Sequence, residues 1–321
     1  MKPVYDVIQI QAPSLKNNRL GDSIVRDVLV LLPDSYAHNR DKYYPVIYLL
    51  HGFGESAERW FSDTLPDPTL HLTSRQLNIQ GEIGEMIYVL PDNGCRFTCA
   101  GYNNNDIQGN WLDYICFDLT REIESRFRCL KGAENRALIG HSSGGDAVLR
   151  LALKKPGYFS TFFAMSCSQL YAGNNDWLVE LYTSHFEQLI RVQQGKQSVE
   201  SLDIYAHLLV NLAQQALPDA ASPPLYIQLP INEEDWHKFT PLYGLNLFEQ
   251  YSQNLSGINL AMDAGFHDLC FNKTKSFAQL LKDKHINIDW FEFDGGHVDH
   301  MGENLNYVLP WVWRSLNQNK S

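Results

Sequence analysis

Residues 136–155 constrain the fold more than any other stretch of this chain. They run Arg136-Ala-Leu-Ile-Gly-His-Ser-Ser-Gly-Gly-Asp146 and then continue in a helical pattern to Lys155. A short apolar run, a Gly-x-Ser-x-Gly corner and a helix follow one another without a spacer. The order predicts a strand, a tight turn and a helix from Asp146 to Lys155. Gly140 and Gly144 carry no Cβ, so strand and helix can approach closely at the corner. Ser142 then projects above a sheet, with a helix N-terminus behind it that favours developing negative charge. The plainer reading of the same residues is an ordinary turn with Ser142 or Ser143 as an N-cap.

Such a corner needs a sheet around it, and the flanking sequence supplies one. Residues 4–11 and Ile24 to Leu32 read as an antiparallel hairpin turning at 17–22. Val46-Ile-Tyr-Leu-Leu50 and Met86-Ile-Tyr-Val-Leu90 are continuous apolar runs, as expected of strands buried on both faces. A short helix over 55–61 and a loop with one helical turn over 62–81 lie between them. The Gly/Asn/Cys-rich span 93–110 reads as a long loop. Ile115, Leu119, Ile123 and Phe127 mark one face of a helix over 113–130. Strands are expected at Thr161 to Met165, Ile258 to Met262 and Ile286 to Phe293, with helices over 272–284 and 301–316. Strands alternating with helices predict an α/β fold, with a mostly parallel central sheet and helices on both faces.

The rhythm breaks over 168–257. Amphipathic stretches at 176–192 and 200–217 flank an irregular middle, Pro218 to Pro241. We read this span as an inserted, largely helical cap within a single domain covering 1–321. Its aromatic residues Trp177, Tyr182, Trp236 and Tyr243 fit packing against neighbours better than a lid. The insertion is also the candidate surface for a homodimer.

Composition excludes several partners. With 321 residues and a net charge of −11, the chain lacks the basic surface that nucleic acid or an anionic membrane selects. No apolar run approaches a membrane span, and the N-terminus has no signal-peptide core. A soluble, cytoplasmic protein is expected. Its six scattered cysteines should then be reduced thiols. Cys95 and Cys99 lack a second ligand pair, and His297-x-x-His300 lacks a third ligand, so no metal site is expected.

Ligands of an open α/β sheet sit beyond the carboxyl ends of its strands. Four candidates fall there: Ser142; His51-Gly-Phe-Gly54; Asp263 and Asp268; and His297 in Asp294-Gly-Gly-His297. A serine hydroxyl needs a base to take its proton. His297 could reach it, and an aspartate would hold the other ring nitrogen. The backbone N–H groups of Ser143 and Phe53 are candidates for an oxyanion hole. Asp263 and Asp268 both remain open as the acid, and Asp299 is a weaker rival. His300 is a weaker rival to His297. His51 reads as a structural histidine of the oxyanion loop. His141 reads as packed beside the nucleophile, and His267 as a pocket-wall or surface residue. Asn103 to Asp106, Gly109 and Trp111 either line a pocket or form a solvated loop with a buried Trp anchor.

Several of these segments together resemble the putative esterase family of α/β-hydrolases. They are Tyr44-Pro-Val-Ile-Tyr-Leu-Leu-His-Gly-Phe-Gly54, Val89-Leu-Pro-Asp92, Gly140-His-Ser-Ser-Gly-Gly145, Asp263-Ala-Gly-Phe-His-Asp268 and Gly295-Gly-His297. That family includes S-formylglutathione hydrolases, feruloyl and acetyl esterases, and mycolyltransferases. The resemblance covers 24–166 and 258–313. It implies an α/β-hydrolase fold with Ser142 as nucleophile, Asp268 as acid and His297 as base. It further implies a serine esterase acting through an acyl-enzyme on a small ester or thioester, with no cofactor. An acyltransferase would use the same three residues, and a silent hydrolase fold kept for binding is the alternative of another class. The chain departs from the family at Met301, where an aromatic residue is common, and in the length of 168–257.

Overall fold

The computed structural model describes residues 5–61, 69–168 and 175–318. Val4 of the first expected strand, residues 62–68 of the expected loop and 169–174 of the insertion fall outside those ranges. The main sheet has eight strands: β1 (Asp6–Gln11), β2 (Val25–Leu31), β3 (Val46–Leu50), β4 (Ile87–Pro91), β5 (Arg136–His141), β6 (Thr161–Met165), β7 (Asn259–Gly265) and β8 (Asp289–Phe293). They lie in the order β1-β2-β4-β3-β5-β6-β7-β8. β1 and β4 both pair antiparallel with β2, and every pair from β4 across to β8 is parallel. The expected hairpin and mostly parallel sheet are both present.

Alternation along the strands builds two cores. In β3, Val46, Tyr48 and Leu50 join one apolar cluster, and Ile47 and Leu49 join the other. A strand buried on both faces has no polar side, which is why VIYLL reads as an unbroken apolar run. The first face is covered by a helical stretch α2 (111–126), by α3 (Ser143–Lys154), by α6 (Gly244–Tyr251) and by α7 (Phe271–Asp283). The second is covered by α1 (Leu70–Ile79) and α8 (Met301–Asn317). Met301, at the family's aromatic position, is buried there.

Several boundaries differ from the sequence reading. The span read as loop with a single helical turn contains the ten-residue helix α1. It buries Leu70, Thr73, Ser74 and Leu77. Two polar residues in the buried stripe hide its apolar period. The helix expected from Asp146 starts at Ser143, directly after the corner. The helix expected over 113–130 runs over 111–126 and widens to π geometry at Tyr114–Leu119. The loop 93–110 folds into two minimal hairpins, Gly94–Cys95 with Thr98–Cys99 and Asn104–Asn105 with Gly109–Asn110.

Between β6 and β7 lie α4 (Asp176–Gln193), α5 (Ile204–Ala216), a 3-10 stretch Glu233–Leu242, and α6. Asp203 caps α5 by accepting from the N–H groups of Tyr205 and Ala206. These elements bury a third apolar cluster of their own, joined by Leu20, Phe97 and Ile107. Tyr182 and Trp236 pack edge to face at 5.6 Å within it. No described helix is long and apolar enough to cross a membrane.

Leu77→Ala should lower unfolding stability by about 2–3 kcal/mol, as expected for truncating a buried leucine. Urea denaturation reads this directly. A loss within about 0.5 kcal/mol, typical of a surface position, would return 70–79 to a loosely packed loop.

Candidate active site

Ser142 sits one residue past β5 with φ 56° and ψ −120°. Few non-glycine residues adopt that backbone, and it stores of order 1–3 kcal/mol of strain. The surroundings enforce it. The Ser142 N–H donates to the carbonyl of Met165 at the end of β6 (2.9 Å). A Cβ on Gly140 would stand 2.2 Å from the Gly144 carbonyl oxygen, and one on Gly144 would stand 2.4 Å from that of Leu50. Only glycine at both positions lets the corner close.

Asp268 and His297 arrive from the ends of β7 and β8, beyond the intervening β6. Asp268 lies three residues past β7, and His297 four past β8. His297 Nε2 is 2.8 Å from Ser142 Oγ, and its Nδ1 donates to Asp268 Oδ2 at 2.8 Å. Asp268 Oδ1 accepts from the N–H of Cys270 at 2.7 Å. The Asp268 side chain is only 1% exposed. Burial alone would raise its pKa. The hydrogen bonds from His297 and Cys270, with the positive field of His297, outweigh that and hold it below the ordinary value. Burial would likewise lower the pKa of His297. The bond to Asp268, its charge, and those of Asp146 and Glu55 raise it instead.

Side chains tie the loop that carries His297 at three backbone atoms, in addition to the His267 N–H on the Gly295 carbonyl. His141, which is fully buried, donates from Nε2 to the His297 carbonyl at 2.7 Å. Arg59 donates to the Val298 carbonyl at 3.1 Å. Asp299 accepts from the Gly296 N–H. Arg59 also pairs with Glu55 at 3.0 Å, and Glu55 accepts from the Gly52 N–H at 3.0 Å. The histidine loop and the His51–Gly54 turn are therefore one connected unit. No signal in the sequence pointed to Glu55 or Arg59, and the reading of His141 as packed beside the nucleophile missed its hydrogen bond.

The remaining candidates take other positions. Asp263 is fully buried inside β7 and touches no histidine; it accepts from Ser166 N–H at 3.0 Å and Tyr307 O–H at 2.7 Å. Asp299 serves the loop turn. His300 bonds Glu303, and His267 bonds Asp294 at the surface. His51 donates from Nδ1 to the Gly52 carbonyl at 2.9 Å, within the His51–Gly54 turn. Trp111 is a buried anchor whose Nε1 donates to the Gln108 carbonyl. Asn104 caps the start of α2 through Leu112 N–H, and Asn103 bonds Gln215 of α5. Phe53 and Ser143 both border one small cavity next to the corner. All six cysteines are free thiols. Among the described residues, Asp268, Cys270 and His297 form the one trio whose ligand atoms could share a metal ion. Both nitrogens of His297 already serve Asp268 and Ser142, so an ion there would break that chain.

A mostly parallel eight-stranded sheet, covered on both faces and carrying Ser, Asp and His in that order past the ends of β5, β7 and β8, defines an α/β-hydrolase. Solved structures agree on the fold. A ferulic acid esterase superposes with TM-score 0.64 at 20% identity over 97% of both chains. An S-formylglutathione hydrolase from Staphylococcus aureus superposes with TM-score 0.61 at 14% identity, over 96% of this chain and 98% of that one. The family model described as Putative esterase matches residues 21–298, and the chain belongs to that family. It is 33% identical over 139 residues to an esterase of Mycobacterium tuberculosis, which is 42% of this chain and 27% of that protein. The chain thus spans about a quarter of the length of that relative.

Asp263 yields a test. Burial, helped by nearby Asp268, pushes its pKa from 3.8 to about 7, against the lowering bonds from Tyr307 and Ser166. The folded state then keeps a proton that the unfolded chain has lost. Its contribution to stability is complete below 3.8 and is lost as pH rises through about 7. Asp263→Asn should remove that slope, so the variant gains on the wild type as pH rises from 4 to 7 in urea titrations. A constant difference across the window would refute this protonation state.

Proposed function

We propose that the protein is a serine esterase that cleaves carboxylic esters or thioesters through an acyl-enzyme. The observation that carries this is the unbroken hydrogen-bond chain from Ser142 Oγ through His297 to Asp268. Membership of the putative esterase family supports the reaction class.

In this reading His297 Nε2 takes the Ser142 hydroxyl proton as Oγ bonds to the ester carbonyl carbon. The carbonyl oxygen becomes negative and is met by the N–H groups of Phe53 and Ser143, with the N-terminus of α3 adding its field. The carbon–oxygen or carbon–sulfur bond to the leaving group then breaks, and that group leaves with the proton from His297. Water repeats the sequence on the acyl-enzyme: it gives a proton to His297, its oxygen bonds to carbon, and Ser142 recovers its proton. Asp268 keeps His297 in the tautomer with Nε2 free to accept and stabilises the imidazolium formed in each half. These steps use only the chain's own residues and water.

Two measurements test it. Ser142→Ala should abolish fluorophosphonate labelling and cut p-nitrophenyl acetate hydrolysis by at least about 10³-fold. Activity at the wild-type level in the folded variant would eliminate Ser142 as nucleophile. The second is a pH profile. His297 must be neutral to act, and its pKa is raised above 6.5. The log of kcat/KM should therefore rise with pH and level off through a midpoint above that value, whereas a midpoint at or below it would contradict the Asp268 pairing.

A further inference from the structure

The cavity beside Ser142 carries information on substrate. It is bordered by Phe53 and Ser143, whose N–H groups are the oxyanion donors in the reading above. Its lining continues from Ser143 to Asp146 and Arg150 of α3 and includes neither His297 nor Ser142 itself. The leaving group must lie against His297, which returns its proton. The carbonyl oxygen must lie on the two N–H groups. The third substituent of the carbonyl carbon is the acyl chain, and this cavity adjoins the two residues that carry those N–H groups on the side away from His297.

That space is small. It leaves about 10 Å³ to the centre of a water molecule, room for one. Its roof is α5 of the segment between β6 and β7, through Leu208, Asn211, Leu212 and Gln215. The roof is seated on backbone: a Cβ on Gly101 would stand 2.1 Å from Gln215 Nε2 and 2.7 Å from Asn211 Oδ1. Asn211 Nδ2 also donates to the Cys99 carbonyl at 2.7 Å. The far wall is Arg150 of α3, 4% exposed. Its guanidinium donates to the carbonyls of Gly101, Tyr102 and Leu242, binding the 93–110 loop and the inserted segment to α3. Arg150 Nε is buried with no hydrogen-bond partner. A hydrocarbon chain pushed this way meets a packed roof and then a buried cation, both unfavourable.

We infer that α5, through Leu208 and Leu212, restricts the acyl group to about two carbons, with Arg150 closing the pocket behind it. The inference rests on the esterase reading and assigns specificity to a segment in which no motif is legible. A larger cleft of about 240 Å³, lined by residues such as Pro33, His71 and Arg75, lies away from Ser142 and includes none of the three chain residues.

The test is a series of p-nitrophenyl esters, acetate to octanoate, with wild type, Leu208→Ala and Leu212→Ala. Leu208 is half-buried, so its truncation leaves a folded control should the more buried Leu212 variant lose stability. For the wild type, kcat/KM should fall at least roughly 100-fold from acetate to hexanoate. Either folded variant should raise the ratio of kcat/KM on hexanoate to that on acetate roughly tenfold or more. Equal wild-type rates on acetate and hexanoate would overturn the inference. So would an unchanged chain-length profile in both folded variants. Absence of turnover with every ester, together with no fluorophosphonate label on Ser142, would instead refute the esterase reading and this pocket with it.

Discussion

The site depends on one strained residue. Ser142 holds φ 56° and ψ −120° at the junction of β5 and α3. Its strain of order 1–3 kcal/mol is offset by the layers on either side. The buried strand β5 packs below, α3 buries Ala147, Val148 and Leu151 against the sheet, and the Met165 carbonyl accepts the serine N–H. The conformation leaves the hydroxyl 2.8 Å from His297 Nε2 while the chain turns at once into α3, whose first residue is Ser143.

The histidine is placed differently, by tethers rather than by regular structure. His297 stands in an irregular loop after the sheet's edge strand, where no ladder fixes the backbone. His141 and Arg59 hold its carbonyl and that of Val298, reaching across 156 and 239 residues of sequence. Arg59 in turn is paired with the glutamate that accepts from Gly52 N–H. The His51–Gly54 turn is thus joined to the His297 loop by three charge-assisted links. Such links are stronger than neutral hydrogen bonds because at least one partner in each is ionised.

What was legible in the sequence follows from this division. The corner at 140–144 was legible because its glycines and serine are demanded locally, by contacts a few residues away. The central strands were legible because burial on both faces forces apolar runs. Helix α1 was not, since Thr73 and Ser74 occupy buried positions and disrupt the period. Glu55 and Arg59 carry no local mark, because an ion pair on a turn looks like any charged surface. The helices of the inserted segment showed their amphipathic spacing, but spacing says nothing of the target. That α5 rests on Gly101 and reaches Ser142's neighbourhood depends on the conformation of a loop ninety residues earlier in the chain, which sequence patterns do not encode.

The pair Asp263 and Asp268 shows how far position alone can mislead. Both belong to one Asp-x-Gly-x-x-Asp segment at a strand end, and sequence order alone allowed either to face the histidine. The sheet separates them. Asp263 lies within β7, with Ser166 N–H and a tyrosine hydroxyl as partners and no cation in contact; burial dominates and favours its neutral form up to about 7. Asp268 lies past the strand end, where the chain turns and the His297 loop arrives. There a ring N–H and a backbone N–H meet the carboxylate, and its charge is favoured despite burial. The coupling runs one way: ionised Asp268 helps keep Asp263 protonated. The basicity of His297 is set by other carboxylates, by Asp268 through a hydrogen bond and its charge and by Asp146 and Glu55 through their charges. Two aspartates five residues apart thus end in opposite protonation states because one is enclosed by the strand and the other meets N–H donors beyond it.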